Sequence, residues 1–291
     1  MAVTIQNQYL SATVNEHGAE LASLIAKKTG IDYMWSADAK YWGRRSPVLF
    51  PIEGRLKDDQ YVWQDKTYHL TQHGFARDCD FEVVTKQSDY VSFELKPNSK
   101  TKENYPFDFI LRLNYRLIAD SLELEYEVIN PSDSELHFAL GAHPAFKVPL
   151  IEGQAYEDYY IEILPNKARK VIPLSGGLTD PKNAYLTKGD VLKISHETFK
   201  DDAIIYDLEQ EETTFVLKNN KDDHGIALKA KDAKFTGIWS CYPAKGQFVC
   251  IEPWWGLADT VQASGKLEEK FANNVLAGHE TFKTSFSVRV F

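Results

Sequence analysis

Phe109-Ile-Leu-Arg-Leu-Asn-Tyr-Arg-Leu-Ile-Ala-Asp-Ser-Leu-Glu-Leu-Glu-Tyr-Glu-Val128 decides the fold class. Phe109, Leu111, Leu113, Tyr115 and Leu117 alternate with Arg112, Asn114 and Arg116. After Ala119-Asp120-Ser121, Leu122, Leu124, Tyr126 and Val128 alternate with Glu123, Glu125 and Glu127. Successive strand side chains point to opposite faces. Period-two patterning on both sides of a short turn therefore predicts an antiparallel hairpin with one buried and one wet face. The wet face sets arginines against glutamates, which favours cross-strand pairing.

Working outward, strands are expected at 4–14, 20–26, 159–164, 235–240, 248–252 and 281–290. Strand pairs are expected at 61–63 with 67–70, 81–84 with 90–95, and 202–206 with 213–217. Only 259–272 suggests a short helix, and the rest of 150–198 is too polar and Gly/Pro-rich to read. Arg44-Arg-Ser-Pro-Val-Leu-Phe-Pro-Ile-Glu-Gly-Arg55 carries two prolines around an apolar centre. That predicts a buried irregular segment or an edge, and its Glu-Gly-Arg end is a reasonable ligand contact. Many short strands with little helix predict an all-β fold, a large antiparallel sandwich, as one domain over residues 1–291.

Composition narrows the function. A net charge of -9 without a basic cluster argues against nucleic acid and anionic membranes as partners. No apolar run approaches the roughly 18 residues of a membrane span, and the first residues are too polar for a signal peptide. Cys79, Cys241 and Cys250 form no CxxC, and the eight histidines show no HExxH, so neither a disulfide framework nor a metal is implied. A cytoplasmic protein, monomer or homodimer, is the expectation.

Four polar residues stand at strand ends or beside Gly and Pro: Arg55, His73, His143 and Glu252. His143 lies in Gly141-Ala-His-Pro-Ala-Phe146, where Pro144 removes a ladder donor and fixes an imidazole at a strand end. Glu252 leaves the apolar run Gln247–Ile251 to face Pro253-Trp254-Trp255, where desolvation would raise its pKa toward a useful base range. Each also has a structural reading: a histidine closing a sheet, or a glutamate capping backbone N–H groups.

Gln72-His-Gly-Phe-Ala-Arg77, Gly141-Ala-His-Pro-Ala-Phe146 and Phe248-Val-Cys-Ile-Glu-Pro253, in that order, resemble the aldose 1-epimerase (galactose mutarotase-like) superfamily. The resemblance is strongest to its LacX-type branch and extends more distantly to hexose-6-phosphate 1-epimerases. It implies a β-supersandwich. It also implies His143 as general acid for the ring oxygen and Glu252 as general base for the anomeric hydroxyl. His73 would bind sugar and polarise the ring oxygen. Arg55 and Asp202 would hold hydroxyls, with Asp201 and Asp207 as alternatives to Asp202. Arg77 resembles a phosphate contact of the hexose-phosphate branch, to which Arg44, Arg45 and Lys57 could add charge. The alternative for Arg77 is pairing with Asp78 or Asp80. Trp254 or Trp255 would stack on the sugar or belong to the core. The glutamate sits in Glu-Pro-Trp-Trp rather than Glu-Thr, and Arg55 follows Glu-Gly rather than Asn. These departures leave the sugar open.

A cyclic aldose is a hemiacetal. Opening it removes the O1 proton and delivers a proton to the ring oxygen, which a carboxylate and an imidazolium on opposite sides of the substrate would do. The C1–C2 bond then rotates, and the roles reverse on closure. The partner would be a monosaccharide or sugar phosphate, with no cofactor. The same residues would also suit a non-catalytic sugar-binding or regulatory protein. Glycoside hydrolysis would need paired carboxylates, for which Glu252 and Asp202 are the one candidate pair.

Overall fold

A computed structural model describes residues 1–187 and 189–291. The predicted hairpin forms as Ile110–Ile118 and Ser121–Ile129, with Leu117 opposite Leu122, Arg116 opposite Glu123 and Arg112 opposite Glu127. Its apolar row is buried. Its polar row is only partly wet, because Asn114, Glu127 and the neighbouring Glu94 are buried. Arg112 satisfies two of these carboxylates, at 2.6 Å to Glu94 and 3.6 Å to Glu127.

The hairpin lies inside a nine-stranded sheet. From edge to edge this runs Val191–Lys193, Tyr160–Leu164, Thr213–Lys218, Gly225–Ala230, Thr281–Val290, the two hairpin strands, Tyr90–Leu95 and Glu82–Lys86. An eight-stranded sheet runs Tyr185–Leu186, Lys170–Ile172, Ile204–Asp207, Phe235–Trp239, Phe248–Trp255, Leu140–Ala142 and Val48–Leu49, with Ala145–Lys147 as an additional partner of Phe248–Trp255. Every strand ladder among the described residues is antiparallel. The two large sheets share one core, where Tyr126 meets Trp255 edge-on at 6.2 Å and Tyr206 meets Phe215 at 6.3 Å. This is the expected all-β supersandwich.

Phe248–Trp255 is buried at every position, so both of its faces are covered. Val249, Ile251 and Trp255 join the intersheet core. Phe248, Cys250 and Trp254 fall in two smaller clusters on the other face, and alternation puts Glu252 with them. The functional residues therefore lie on the outer face of the eight-stranded sheet, beneath irregular segments.

Several expectations change. The span 4–14 is two strands, Ala2–Gln6 and Leu10–Asn15, because the chain reverses through Asn7–Tyr9, where the Asn7 side chain accepts from the Tyr9 and Leu10 N–H groups. Residues 202–206 and 213–217 do not pair. The chain crosses between the two sheets there, and each segment finds its own sheet. The 259–272 helix is absent. Only a short 3-10 turn, Leu267–Glu269, forms, and the one α-helix among the described residues is Ser99–Asn104, started by an Asn98–Thr101 capping box. Arg44–Arg55 is irregular and buried in its middle, with Val48–Leu49 at a sheet edge, as its prolines predict. Glu252 does not end its strand, since the ladder continues through Pro253 and Trp254.

Candidate active site

Two short strands flank His143, and both pair with Phe248–Trp255. Gly141 faces Trp254, and Ala145 faces Cys250. The ladder thins between these pairs: Ile251 N–H still donates to Pro144 O at 3.2 Å, but Pro144 has no N–H to return and Pro253, opposite Ala142, has none either. Stepping inward from either pair sets His143 opposite Glu252. Their side chains meet, with His143 Nε2 3.2 Å from Glu252 Oε2. Glu252 is 1% exposed and His143 7%.

The sheet makes room for this pair. Trp254 lies across its neighbouring strands, so a Cβ at Gly141 would come within 2.8 Å of its Cδ1, and one at Gly237 within 2.3 Å of its Cη2. Real Cβ atoms do not approach so closely, so only glycine fits at either position. Trp42 stacks on the His143 ring at 4.8 Å, and Trp239 meets it edge-on at 5.6 Å, fixing its plane. Trp254 is thus floor as well as lining. Trp255 turns to the core, where its Nε1 donates to Asp232.

His73 arrives from the irregular segment that starts at Gln72. Phe50 N–H donates to the His73 carbonyl, and His73 N–H donates to Gly54 O. Gly54 N–H then donates to His73 Nδ1 at 3.1 Å. That bond makes Nδ1 an acceptor, leaving Nε2–H as the free donor of a neutral ring. The ring meets His143 edge-on at 5.7 Å. His73 holds a φ of 69°, a strained value for a non-glycine residue that these bonds maintain.

A cavity of about 350 Å³ opens over these groups, within the range of about 300–1,000 Å³ usual for small ligands. Its lining includes His73, Arg77, His143, Asp202, Glu252 and Trp254. Of the expected site residues, only Arg55 does not line it. Its side chain stands at the rim, 44% exposed, 3.4 Å from Asp59 and packed on Gly177. Asp202 is the aspartate that reaches the cavity, while Asp207 pairs with Lys170 at 2.7 Å. Arg77 is paired with Asp78, one of the two aspartates expected for it, with Nε 3.8 Å from Asp78 Oδ2, and its Nη2 donates to Gln72 O at 2.7 Å. Asp78 also pairs with Arg44 at 2.7 Å, while Asp80 pairs with His17 at 2.8 Å. Arg45 is bound to the carbonyls of Ala22 and Ser36.

Trp42, Trp239 and Glu53 also line the cavity and were not anticipated there. Glu53 had a signal, a carboxylate inside the buried run from Val48 to Gly54. Trp42 had none, because its contact with His143 depends on how an irregular segment folds over the sheet.

Burial sets the electrostatics. It pushes Glu252 well above the usual carboxylate range, and the nearby carboxyls of Glu53 and Asp202 push the same way. The indole of Trp254 alone favours the charged form. Burial pushes His143 down to about 3 and His73 well below an ordinary histidine. Arg77 and Arg44 add to both. Burial thus works against both the Glu252 carboxylate and the His143 imidazolium. His143, Cys250 and Glu252 also offer three metal-ligand atoms within 4.8 Å of one another. Ligation would require a Cys250 thiolate, and burial beside Glu252 pushes that thiol well above its usual range. The set therefore favours a packed neutral thiol.

This antiparallel supersandwich is the galactose mutarotase-like architecture. The aldose 1-epimerase family model matches residues 1–270, and the chain belongs to that family. It is 31% identical to the chromosomal protein LacX of Lactococcus lactis subsp. lactis, covering 100% of this chain and 99% of that one. Among solved structures, it is similar to a galactose mutarotase related enzyme from Lactobacillus acidophilus, with TM-score 0.98, 41% identity, and 100% and 97% of the two chains covered. A galactose mutarotase-like protein from Lactobacillus casei ATCC 334 has TM-score 0.92 and 30% identity, with 100% of each chain covered.

Proposed function

We propose that the chain interconverts the α and β anomers of a hexose or hexose phosphate by acid–base ring opening. The observation that carries this is the 3.2 Å approach of His143 Nε2 to Glu252 Oε2 at a ligand-sized cavity. The sequence suggested an acid and a base on opposite sides of the substrate, but here they stand side by side. Side by side suits the chemistry, because O1 and the ring oxygen are bonded to the same carbon. Passing a proton from Glu252 to His143 Nε2, 3.2 Å away, creates a carboxylate and an imidazolium together. Glu252 then takes the O1 proton while His143 protonates the ring oxygen, and C1–O5 breaks to give the aldehyde. His73 Nε2–H is the free donor available to polarise the ring oxygen. Asp202 accepts from sugar hydroxyls, and Trp254 offers an apolar face to the ring's C–H groups.

Arg77 supports a phosphorylated substrate. It lines the cavity, and burial and the neighbouring Arg44 lower its pKa against the one carboxylate, Asp78, that the two arginines share. An anion near both would relieve that repulsion.

A sugar-binding protein without turnover is the second reading. Burial favours it, because it works against both the carboxylate and the imidazolium that ring opening uses. NMR exchange spectroscopy on a panel of free and 6-phosphorylated hexoses separates the two. Saturation transfer between anomers supports the epimerase, whereas binding with no exchange above buffer supports the second reading.

A further inference from the structure

Glu53 is the one ionisable cavity residue that the ring-opening scheme leaves without a role. It is 2% exposed, and its Oε2 is sealed with no hydrogen-bond partner. His73 does not satisfy it. Glu53 Oε1 lies 4.0 Å from His73 Nδ1, too far for a hydrogen bond, and that nitrogen already accepts from Gly54 N–H. Lys270 does not satisfy it either, because its ammonium donates to Leu257 O at 2.6 Å and Asp259 Oδ1 at 3.2 Å. Burial opposes its carboxylate more than the distant Lys270 charge and the Ala258 backbone favour it, and a buried carboxyl with one oxygen left unsatisfied is rare in a purely structural position.

The scaffold holds this group in the cavity wall. Glu53 follows the buried run Val48–Ile52, and its Cγ leans over Gly141, where an added Cβ would come within 3.4 Å of it. Trp254 crosses the same glycine, so Glu53 stands between the indole floor and His73. We propose that Glu53 is a substrate-binding, specificity-setting residue whose Oε1 hydrogen-bonds a polar substituent of the bound sugar ring. This rests on the sugar reading given above. Burial beside Glu252 favours the neutral acid, which donates one hydrogen bond and so recognises a substituent with a lone pair, a hydroxyl rather than an ammonium. A site with such a donor discriminates against the analogue that lacks the partner, because the buried group is then left unsatisfied.

The test compares Glu53→Gln and Glu53→Val, checked by circular dichroism to be fully folded at the assay pH, by calorimetric binding of hexoses and their monodeoxy analogues. Glu53→Val should weaken binding of the parent sugar by about tenfold, yet bind one deoxy analogue as the wild type does, and Glu53→Gln should stay within about threefold. Wild-type binding by Glu53→Val, or an equal loss across every analogue, overturns the proposal. So does a loss in Glu53→Gln confined to 2-amino-2-deoxy sugars, which would mark a carboxylate pairing with an ammonium. If the wild type binds sugars but exchanges no anomers, the epimerase reading fails and this proposal stands. If it binds no sugar, both fall.

Discussion

His143 and Glu252 are cross-strand neighbours at the one gap between the two short strands that pair with Phe248–Trp255. Pro144 thins the ladder there, and the two side chains meet with their nearest atoms 3.2 Å apart. The same strand register that builds the sheet thus brings these two side chains together. Pro144→Ala restores an N–H and invites the ladder to close. It should leave the unfolding midpoint unchanged or higher while anomer exchange falls by about tenfold or more. Unchanged exchange in that variant would show that the thinned ladder does not position His143.

Gly237→Ala tests the floor of the site. Its Cβ would meet Trp254 Cη2 at 2.3 Å and Cζ2 at 2.5 Å, so the indole must move. Overpacking of this kind costs about 1–3 kcal/mol. A lower denaturant midpoint is expected, with partial rescue when Trp254→Phe is added. A midpoint equal to wild type would mean that the indole moves freely and does not define the floor.

How much of this was legible beforehand follows from how local each signal is. The hairpin was readable because period two over Phe109–Val128 is written in contiguous residues. His143, Glu252 and His73 were readable because proline, glycine or an abrupt polar residue punctuates an apolar run. The missing link between 202–206 and 213–217 was not, because which sheet a strand joins depends on residues far away in sequence. Arg55 and Glu53 show the same limit. The motif drew attention to the arginine, but the fold turns it to the rim and seals the glutamate inside.

The pH dependence of stability should carry two slopes. Glu53 ionises near 4.5 when unfolded, and burial pushes it up to about 8. Between those values the folded chain keeps a proton that the unfolded chain has released, so stability falls as pH rises through that window. His143 goes from 6.5 down to about 3, so stability also falls as pH drops below about 6.5 toward 3. Glu53→Gln removes its own share of the first slope and leaves that of Glu252, which burial raises as well. Its unfolding free energy relative to wild type should rise from about pH 5 to about pH 8 by on the order of a few kcal/mol. Chemical denaturation across that range checks it, and a constant difference would contradict the raised pKa.

Arg77 separates the substrate classes. Arg77→Met keeps the apolar stem but removes the charge. KM for hexose 6-phosphates should rise by about tenfold or more, with free hexoses changed by less than about threefold. Equal effects on both would give Arg77 a general positioning role rather than a phosphate contact.

The most direct measurement of ring opening by the His143–Glu252 pair is the anomer exchange rate by NMR saturation transfer in wild type, Glu252→Gln and His143→Asn. All three should be folded and bind the sugar. The wild type should exchange well above buffer, and each variant should fall by about 10²–10⁴-fold. Near wild-type exchange in Glu252→Gln, with sugar binding intact, would contradict the assignment of the base.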